Sequence, residues 1–373
     1  MKPALMRLRG IIRKEWFQIV RDPSSIAIAF VMPVLLLLIF GYGVSLDARN
    51  IRLALVMEEA DSLSLSFAGG FAHSPYFAPM PMHSIQEAEE ALRSSRADAI
   101  VWLRHDFTAA SLRGETPPVH LILNGVDANT SRLVEGYVQG IWAGWLEQRA
   151  ALAGTVLTPA IALEQRIWYN PSVRSTDFLV PGIVAVIMTL IGALLTALVI
   201  AREWERGTME ALLVTRISVR EILLGKLIPY FILGMGGLIL SLLMAHYLFA
   251  VPRHGSLWLL LSTSALFLVV SLGMGFFIST MFRSQFVAAL VAMVGTFLPA
   301  FMLSGAIFDI HSMPALVEAF TYLIAARYYV SILHTLFLAG DVWSVILPNT
   351  LALVLMAVFF LGLVYRKTEK KLR

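Results

Sequence analysis

The sequence predicts an α-helical integral membrane protein with six transmembrane helices and an inserted α/β domain on the extracytoplasmic side. Three observations predict this. The 373 residues are 58% hydrophobic and only 14% charged, with a mean hydropathy of +0.75. A soluble domain of that length has no interior large enough to hide so much apolar side chain. Six stretches reach the roughly 20 apolar residues needed to cross about 30 Å of hydrocarbon: Ile26 to Leu46, Phe178 to Ala201, Leu227 to Val251, Leu257 to Phe282, Phe286 to Ser304 and Val345 to Tyr365. Basic residues gather in alternate gaps between them, which an even number of spans places on one side, cytoplasmic by the positive-inside rule.

Residues 1–25 predict a cytoplasmic interfacial helix. Leu5, Leu8, Ile12, Trp16 and Ile19 recur at helical spacing, with Arg7, Lys14 and Arg21 on the other side. Such a helix lies in the inner interface, Trp16 and its stripe in the acyl boundary and Arg13, Lys14 and Arg21 among lipid phosphates. Asp22-Pro23 ends it, and Ser24-Ser25 leads into the first span at 26–46. It does not read as a cleavable leader, because basic residues continue to Arg21, the apolar run is full length and no small-residue cleavage site follows.

The insert at 47–177 differs in kind. It has no Lys, and its ten Arg are outnumbered by fifteen Asp and Glu, so it reads as a mildly acidic domain on the outer side. Strands are expected at Ile51 to Met57, Ala99 to Leu103 and Val119 to Leu123. Helices are expected at Ser84 to Ser95, opened by a capping box of Ser84 with Glu87, and at Asn129 to Ala153, leading back toward the membrane. About 130 residues suffice for one small domain with its own core.

The second span, 178–201, is followed by a charged segment at 202–226, in which Arg202, Arg206, Arg216, Arg220 and Lys226 mark the cytoplasmic side. A charged helix end gives way to a break at Gly207, then to a short amphipathic helix near Thr208 with Glu210 in its first turn, where an acid suits the positive helix end. Residues 227–366 hold the third to sixth spans, with Arg283 between the fourth and fifth. Pro299 breaks the fifth span near its outer end. Residues 305–343 are too interrupted for a clean crossing and predict short helices dipping into the outer leaflet, anchored by Trp343. The tail at 367–373 carries Lys367, Lys370, Lys371 and Arg373, so both termini are expected in the cytoplasm. Gly234, Gly236, Gly237, Gly273 and Gly275 let helices approach closely in lipid.

Several chemistries are excluded. Without Cys there are no disulfides, thiolate metal sites or Cys nucleophiles. The eight His, at 73, 83, 105, 120, 246, 254, 311 and 334, show no i, i+3 or i+4 pairing for a metal. Gly225-Lys226 imitates a phosphate loop, but Arg220 stands where Gly is needed and Leu227 where Ser or Thr is needed. Basic residues flank apolar spans rather than forming an aromatic-interleaved patch, which argues against nucleic acid. Ionisable residues are nearly absent from the spans, with His246 near the outer end of the third as the main exception. That scarcity argues against a proton relay and favours an apolar or amphipathic cargo.

Glu203-Trp204-Glu205-Arg206-Gly207-Thr208-Met209-Glu210-Ala211-Leu212-Leu213, followed by Leu223-Leu224-Gly225-Lys226, resembles the signature of the ABC-2 type transporter permease family. Arg13-Lys14-Glu15 with Arg21-Asp22-Pro23, Pro33 and Phe40-Gly41-Tyr42 resembles that family's opening. Leu298-Pro299-Ala300 with Leu303-Ser304-Gly305-Ala306-Ile307-Phe308 and Met313-Pro314 resembles its loop after the fifth span. Asn124-Gly125-Val126-Asp127-Ala128-Asn129-Thr130 resembles the outer domain of a bacterial efflux subgroup. The likeness departs from the pattern at Thr215-Arg216, where a Thr-Pro turn is usual, and at His334, where many relatives carry Arg.

The resemblance implies an exporter subunit of the bacterial inner membrane that binds no cofactor itself. Its ATP and Mg would be bound by a separate ABC ATPase subunit docking on a coupling segment, carried here by Glu203, Glu205, Arg206, Gly207, Thr208, Glu210 and Leu213. Six spans form half a pathway, so a second copy or a similar permease is expected. Pro299, Ser304 and Gly305 are candidates for the pathway or its gate, and the outer domain for an exit gate or the contact with a periplasmic adaptor. A membrane receptor sensing a ligand through its outer domain is the alternative, but the longest cytoplasmic loop is only about 25 residues, too short for an output module. A membrane-embedded enzyme lacks a nucleophile, metal cluster or acid pair near the bilayer.

Overall fold

The computed structural model describes residues 2–43, 50–113, 119–124, 128–152, 174–208, 217–282 and 284–368. They divide into two compact units, Met1–Val44 with Ile167–Arg373, and Ser45–Arg166. The first unit opens with α1 (Lys2–Val20) and α2 (Pro23–Gly43). Between them Asp22 caps α2, accepting from Ser24 N at 3.1 Å and Ser25 Oγ at 2.9 Å. Pro23 occupies the first turn, where no N–H is required.

The second unit contains β1 (Ile51–Met57), α3 (Ser62–Ala72), β2 (Phe77–Met82), α4 (Ile85–Arg93), β3 (Ala99–Leu103), α5 (Phe107–Leu112), β4 (Val119–Leu123) and α6 (Ala128–Leu152). The sheet order is β2-β1-β3-β4. β1 is parallel to β2 and β3, and β4 is antiparallel to β3. Alternation along β1 sends Ile51, Leu53 and Leu55 to one core, with Phe67, Phe71, Phe107, Val134 and Trp145, and sends Ala54 and Val56 to another, with Ala88 and Ala91. Both faces of the sheet are therefore covered.

β2, a strand not among those expected from the sequence, carries Pro79 and Pro81. As an edge strand it tolerates them: prolines two apart direct their missing N–H groups to the same, unpaired side. The expected capping box at α4 forms differently. Ser84 Oγ accepts from Glu87 N at 3.2 Å, but the Glu87 carboxylate accepts from His83 N rather than from Ser84 N.

The first unit resumes with α7 (Ser175–Glu205), α8 (Val219–Tyr247), α9 (Leu257–Met281), α10 (Gln285–Leu303), the bent pair α11 (Ala315–Thr321) and α12 (Ala325–Ala339), meeting at 85°, and α13 (Trp343–Lys367). Six helices among the described residues, α2, α7, α8, α9, α10 and α13, are long and apolar enough to cross a membrane. α7 is the buried axis, with nearly every side chain from Leu179 to Ala201 enclosed. Its 31 residues span about 46 Å, so it outruns a hydrocarbon layer of about 30 Å and carries its charged end beyond it.

α2 and α10 each contain one wide turn, Ala27–Val31 and Met293–Phe297, placed before Pro33 and Pro299. A proline has no N–H for the carbonyl four residues back and its ring crowds that carbonyl; widening the turn relieves the clash. The carbonyl concerned in α2, that of Ala29, packs against Gly237, where a Cβ would collide with it. α7 and α9 approach as closely: a Cβ on Gly275 would collide with Thr196 Oγ1 and the Ala193 carbonyl. Polar groups tie the same seam, Thr196 Oγ1 donating to Leu272 O at 2.8 Å and Ser279 Oγ accepting from Ala201 N at 2.9 Å. Small residues thus exchange side-chain volume for backbone contact.

Candidate functional site

The charged end of α7 meets α1 and the start of α8. On α1 the residues that turn inward are Ile11, Glu15 and Ile19, four apart and buried. Ile11 packs where Gly225 of α8 leaves room. The next residue, Lys226, points its Nζ at Glu15 Oε1, 2.9 Å away, and at Glu203 Oε1 of α7, 2.8 Å away. Lys14 closes the group from the solvent side, its Nζ 2.6 Å from Glu203 Oε1 and 3.0 Å from Glu15 Oε1. Two carboxylates and two ammonium groups thus neutralise one another where Glu15 and Lys226 are each only 1% exposed. Burying such ions is costly unless each is paired. Burial opposes charge on Lys14, but Glu15 and Glu203 outweigh it and raise its pKa above the ordinary lysine value.

A second tie lies one residue back on α7. Arg202 Nη1 is 2.6 Å from Asp22 Oδ2, and its Nε donates to Gln285 Oε1 at 3.2 Å. Glu205 accepts from Gln285 N at 2.7 Å and from the Gln285 side-chain amide, serving the open N–H groups that begin α10. Burial pushes the Asp22 carboxyl up, but hydrogen bonds from Arg202, Ser25 and Ser24 outweigh it and hold it below the usual carboxylate range. A third tie joins Arg7 of α1 to Glu221, with Nη2 at 3.0 Å. Glu221 also completes a capping box with Ser218 at the start of α8.

The residues that follow face outward. α7 stops at Glu205, and Gly207 adopts φ +69°, the left-handed conformation that ends helices and favours glycine. Arg206, Gly207 and Thr208 are exposed, with Thr208 Oγ1 donating to Glu203 O at 3.4 Å. Glu210 and Leu213 lie outside the described residues. The candidates therefore separate: Glu203 is buried inside the ionic cluster and Glu205 is bound to Gln285, whereas Arg206 to Thr208 form a free surface.

α1 corrects one sequence expectation. Lys14 does not stand free for lipid phosphates, because Glu15 and Glu203 hold it. Of the apolar stripe Leu5, Leu8, Ile12, Trp16 and Ile19, only Ile19 is buried, on a packed face that it shares with Ile11 and Glu15. Leu5, Met6, Trp16, Phe17 and Val20 remain exposed, with Arg13 lying 5.6 Å over the Phe17 ring and Arg21 exposed.

Beside the middle of α7, Pro299 lines an apolar cavity of about 430 Å³ with Thr189, Met274 and Thr296. Ser304 is buried, its Oγ accepting from Ala306 N at 3.3 Å, and Gly305 has φ +84°. Both line a more polar cavity of about 560 Å³ with Arg327, His334 and Asn349. His334 Nε2 donates to Phe178 O at 3.0 Å, and its ring stacks on that of Phe178 at 4.3 Å. Pro299 and the Ser304-Gly305 pair thus line different spaces.

Glu15, Lys226, Asp22 and Gln285 were not singled out as site residues from sequence. Two of them carry a signal in the sequence: Glu15 interrupts the i, i+4 series of Ile11 and Ile19, and Lys226 stands immediately before the apolar run from Leu227. An ionisable residue on an apolar face calls for a buried partner. Among the described residues no group of three or more His, Asp or Glu could hold a metal ion. What the arrangement offers is mechanical: α1, α7 and α8 are joined by ion pairs and α10 by hydrogen bonds at one end.

The family model described as "ABC-2 family transporter protein" matches residues 23–366. The chain is 47% identical over 367 residues to the protein named "Probable multidrug ABC transporter permease YbhS" of Escherichia coli K12, covering 98% of this chain and 97% of that one. It is 28% identical over 351 residues to "Probable multidrug ABC transporter permease YbhR" of the same strain, covering 92% and 94%. It is 27% identical over 351 residues to "Inner membrane transport permease YhhJ", also of that strain, covering 90% and 92%.

Proposed function

This chain belongs to the ABC-2 family of transporter proteins, and from that premise we propose that it is the permease subunit of an exporter in the bacterial inner membrane. It moves an apolar or amphipathic cargo outward, using ATP hydrolysed with Mg by a separate ABC ATPase subunit. The observation that carries this reading is the Glu15–Lys226–Glu203 cluster. It makes the end of α7 rigid with α1 and α8, so that a push on the segment after α7 moves three helices together. The names of two relatives, which call them multidrug permeases, support the cargo class.

In this reading the ATPase docks on Arg206, Gly207, Thr208, Glu210 and Leu213, while Glu203 and Glu205 transmit its movement. A second copy, or a similar permease, completes the pathway. α1 lies in the inner interface through Trp16 and Phe17, with Arg13 and Arg21 toward lipid phosphates, and both termini are cytoplasmic. The second unit is an extracytoplasmic α/β domain that gates exit or meets a periplasmic adaptor. Ser304 and Gly305, at the bend before α11, belong to the gate.

The test is to co-purify the permease with its ATPase after Arg206→Glu, Gly207→Val or Glu210→Lys. Association and stimulated ATPase activity should fall while the permease stays folded. Survival of both in all three variants would remove the docking assignment.

A further inference from the structure

We propose that the groove between the end of α8 and the start of α9 is a binding site for one acyl chain of an anionic phospholipid from the surrounding leaflet. The site is independent of the docking reading above. The groove encloses about 350 Å³. Its walls are Ile239, Leu243, Leu260, Leu261 and Phe337, so its interior is hydrocarbon-like.

Its mouth is different. His246, Tyr247 and Arg253 line it at the level where α8 ends and α9 has not yet begun. The eight residues from Ile239 to His246 cover about 10 Å of helix. The groove therefore runs from the depth of headgroups into the acyl region. Tyr247 and Trp258 are exposed at that level, as amphipathic rings are where water meets hydrocarbon.

Charge selects the occupant. Among the described residues none that lines the groove carries a carboxylate. Arg253 bonds through Nη1 to Gly255 O at 2.6 Å, which fixes the guanidinium at the rim and leaves its other N–H groups for a phosphate. The nearby acid Asp341 accepts from Ser256 N at 2.8 Å, capping the loop. A choline headgroup brings a cation to this cationic rim and gains nothing from it. A phosphate diester with an uncharged headgroup matches the positive rim.

The chain has no cysteine, so a single Leu243→Cys in the full-length protein can carry a bimane label in the groove. The labelled protein is reconstituted in phosphatidylcholine vesicles containing brominated-chain phosphatidylglycerol or, at equal mole fraction, brominated-chain phosphatidylcholine. The glycerol lipid should quench at about fivefold lower mole fraction, the factor that about 1 kcal/mol for one surface cation converts to. Arg253→Gln should abolish that difference and Arg253→Lys should keep it. Equal quenching by the two lipids with Arg253 intact, or a preference that Arg253→Gln leaves unchanged, would overturn the proposal.

Discussion

Lys226 Nζ lies 2.9 Å from Oε1 of Glu15 across 211 residues of sequence. With Glu203 on its other side, this ammonium joins the N-terminal helix, the central helix and α8 at a single point. Among the described residues the second oxygens of Glu15 and Glu203 are buried without a hydrogen-bond partner, so Lys226 and Lys14 are the cations that neutralise them there. A group satisfied in this way is stiff, because any separation of the helices exposes carboxylates to an apolar surrounding.

Replacing Lys226 by Met should therefore destabilise the permease by about 3–5 kcal/mol, the cost of leaving a buried ion pair broken. Glu15→Leu combined with Lys226→Met should cost less than the sum of the two single changes, since Glu203 still holds Lys14. Denaturant unfolding in detergent micelles of the two singles and the double measures this. Strict additivity would deny the contact its energetic role.

The Asp22–Arg202 pair sets an acid limit. The folded Asp22 carboxyl is held below its ordinary value, so its stabilisation is fully present above the unfolded pKa of about 3.9 and is lost as pH falls through the lower folded value. Between pH 7 and 5 that contribution is complete and constant, so any change of melting temperature with pH in this window should owe nothing to this group. Below pH 4 wild type should approach Asp22→Asn, and a gap between them that stays constant down to pH 2 would refute the assignment.

Helix approach at Gly275 predicts a steric effect. Gly275→Ala pushes a methyl into Thr196 and the Ala193 carbonyl, which should cost about 1–3 kcal/mol as overpacking. Gly295, with open space around its Cβ position, should accept Ala with little loss. Melting temperatures of the two variants make the comparison directly.

The proposed outward position of the second unit is open to labelling. Leu112 is 72% exposed, whereas its neighbour Ser111 is buried, so Leu112→Cys is the better probe. An impermeant maleimide should modify it in intact spheroplasts without permeabilisation. Labelling that requires lysis would reverse the topology.

Much of the fold was legible because bilayer physics acts on composition and length, which a sequence states openly. The six apolar stretches, the basic residues beside them and the strands at 51–57, 99–103 and 119–123 follow from hydropathy and alternation alone. The strand Phe77–Met82 did not, since two prolines oppose strand pairing everywhere except at an edge, and edge position belongs to the assembled sheet. The left-handed turn at Gly207 fits a break that the residue type had already suggested.

The sequence by itself determined that this chain crosses a membrane and that its charged segment after the second span was the place to look. The tertiary structure alone decided which of those charges face inward. Lys14 and Lys226 read as topology signals along the chain. Folding brings Glu15 and Glu203 against them, because a charge near the end of an apolar helix is tolerated only where another element brings its counter-charge within reach, and such pairings span hundreds of residues that no local pattern encodes.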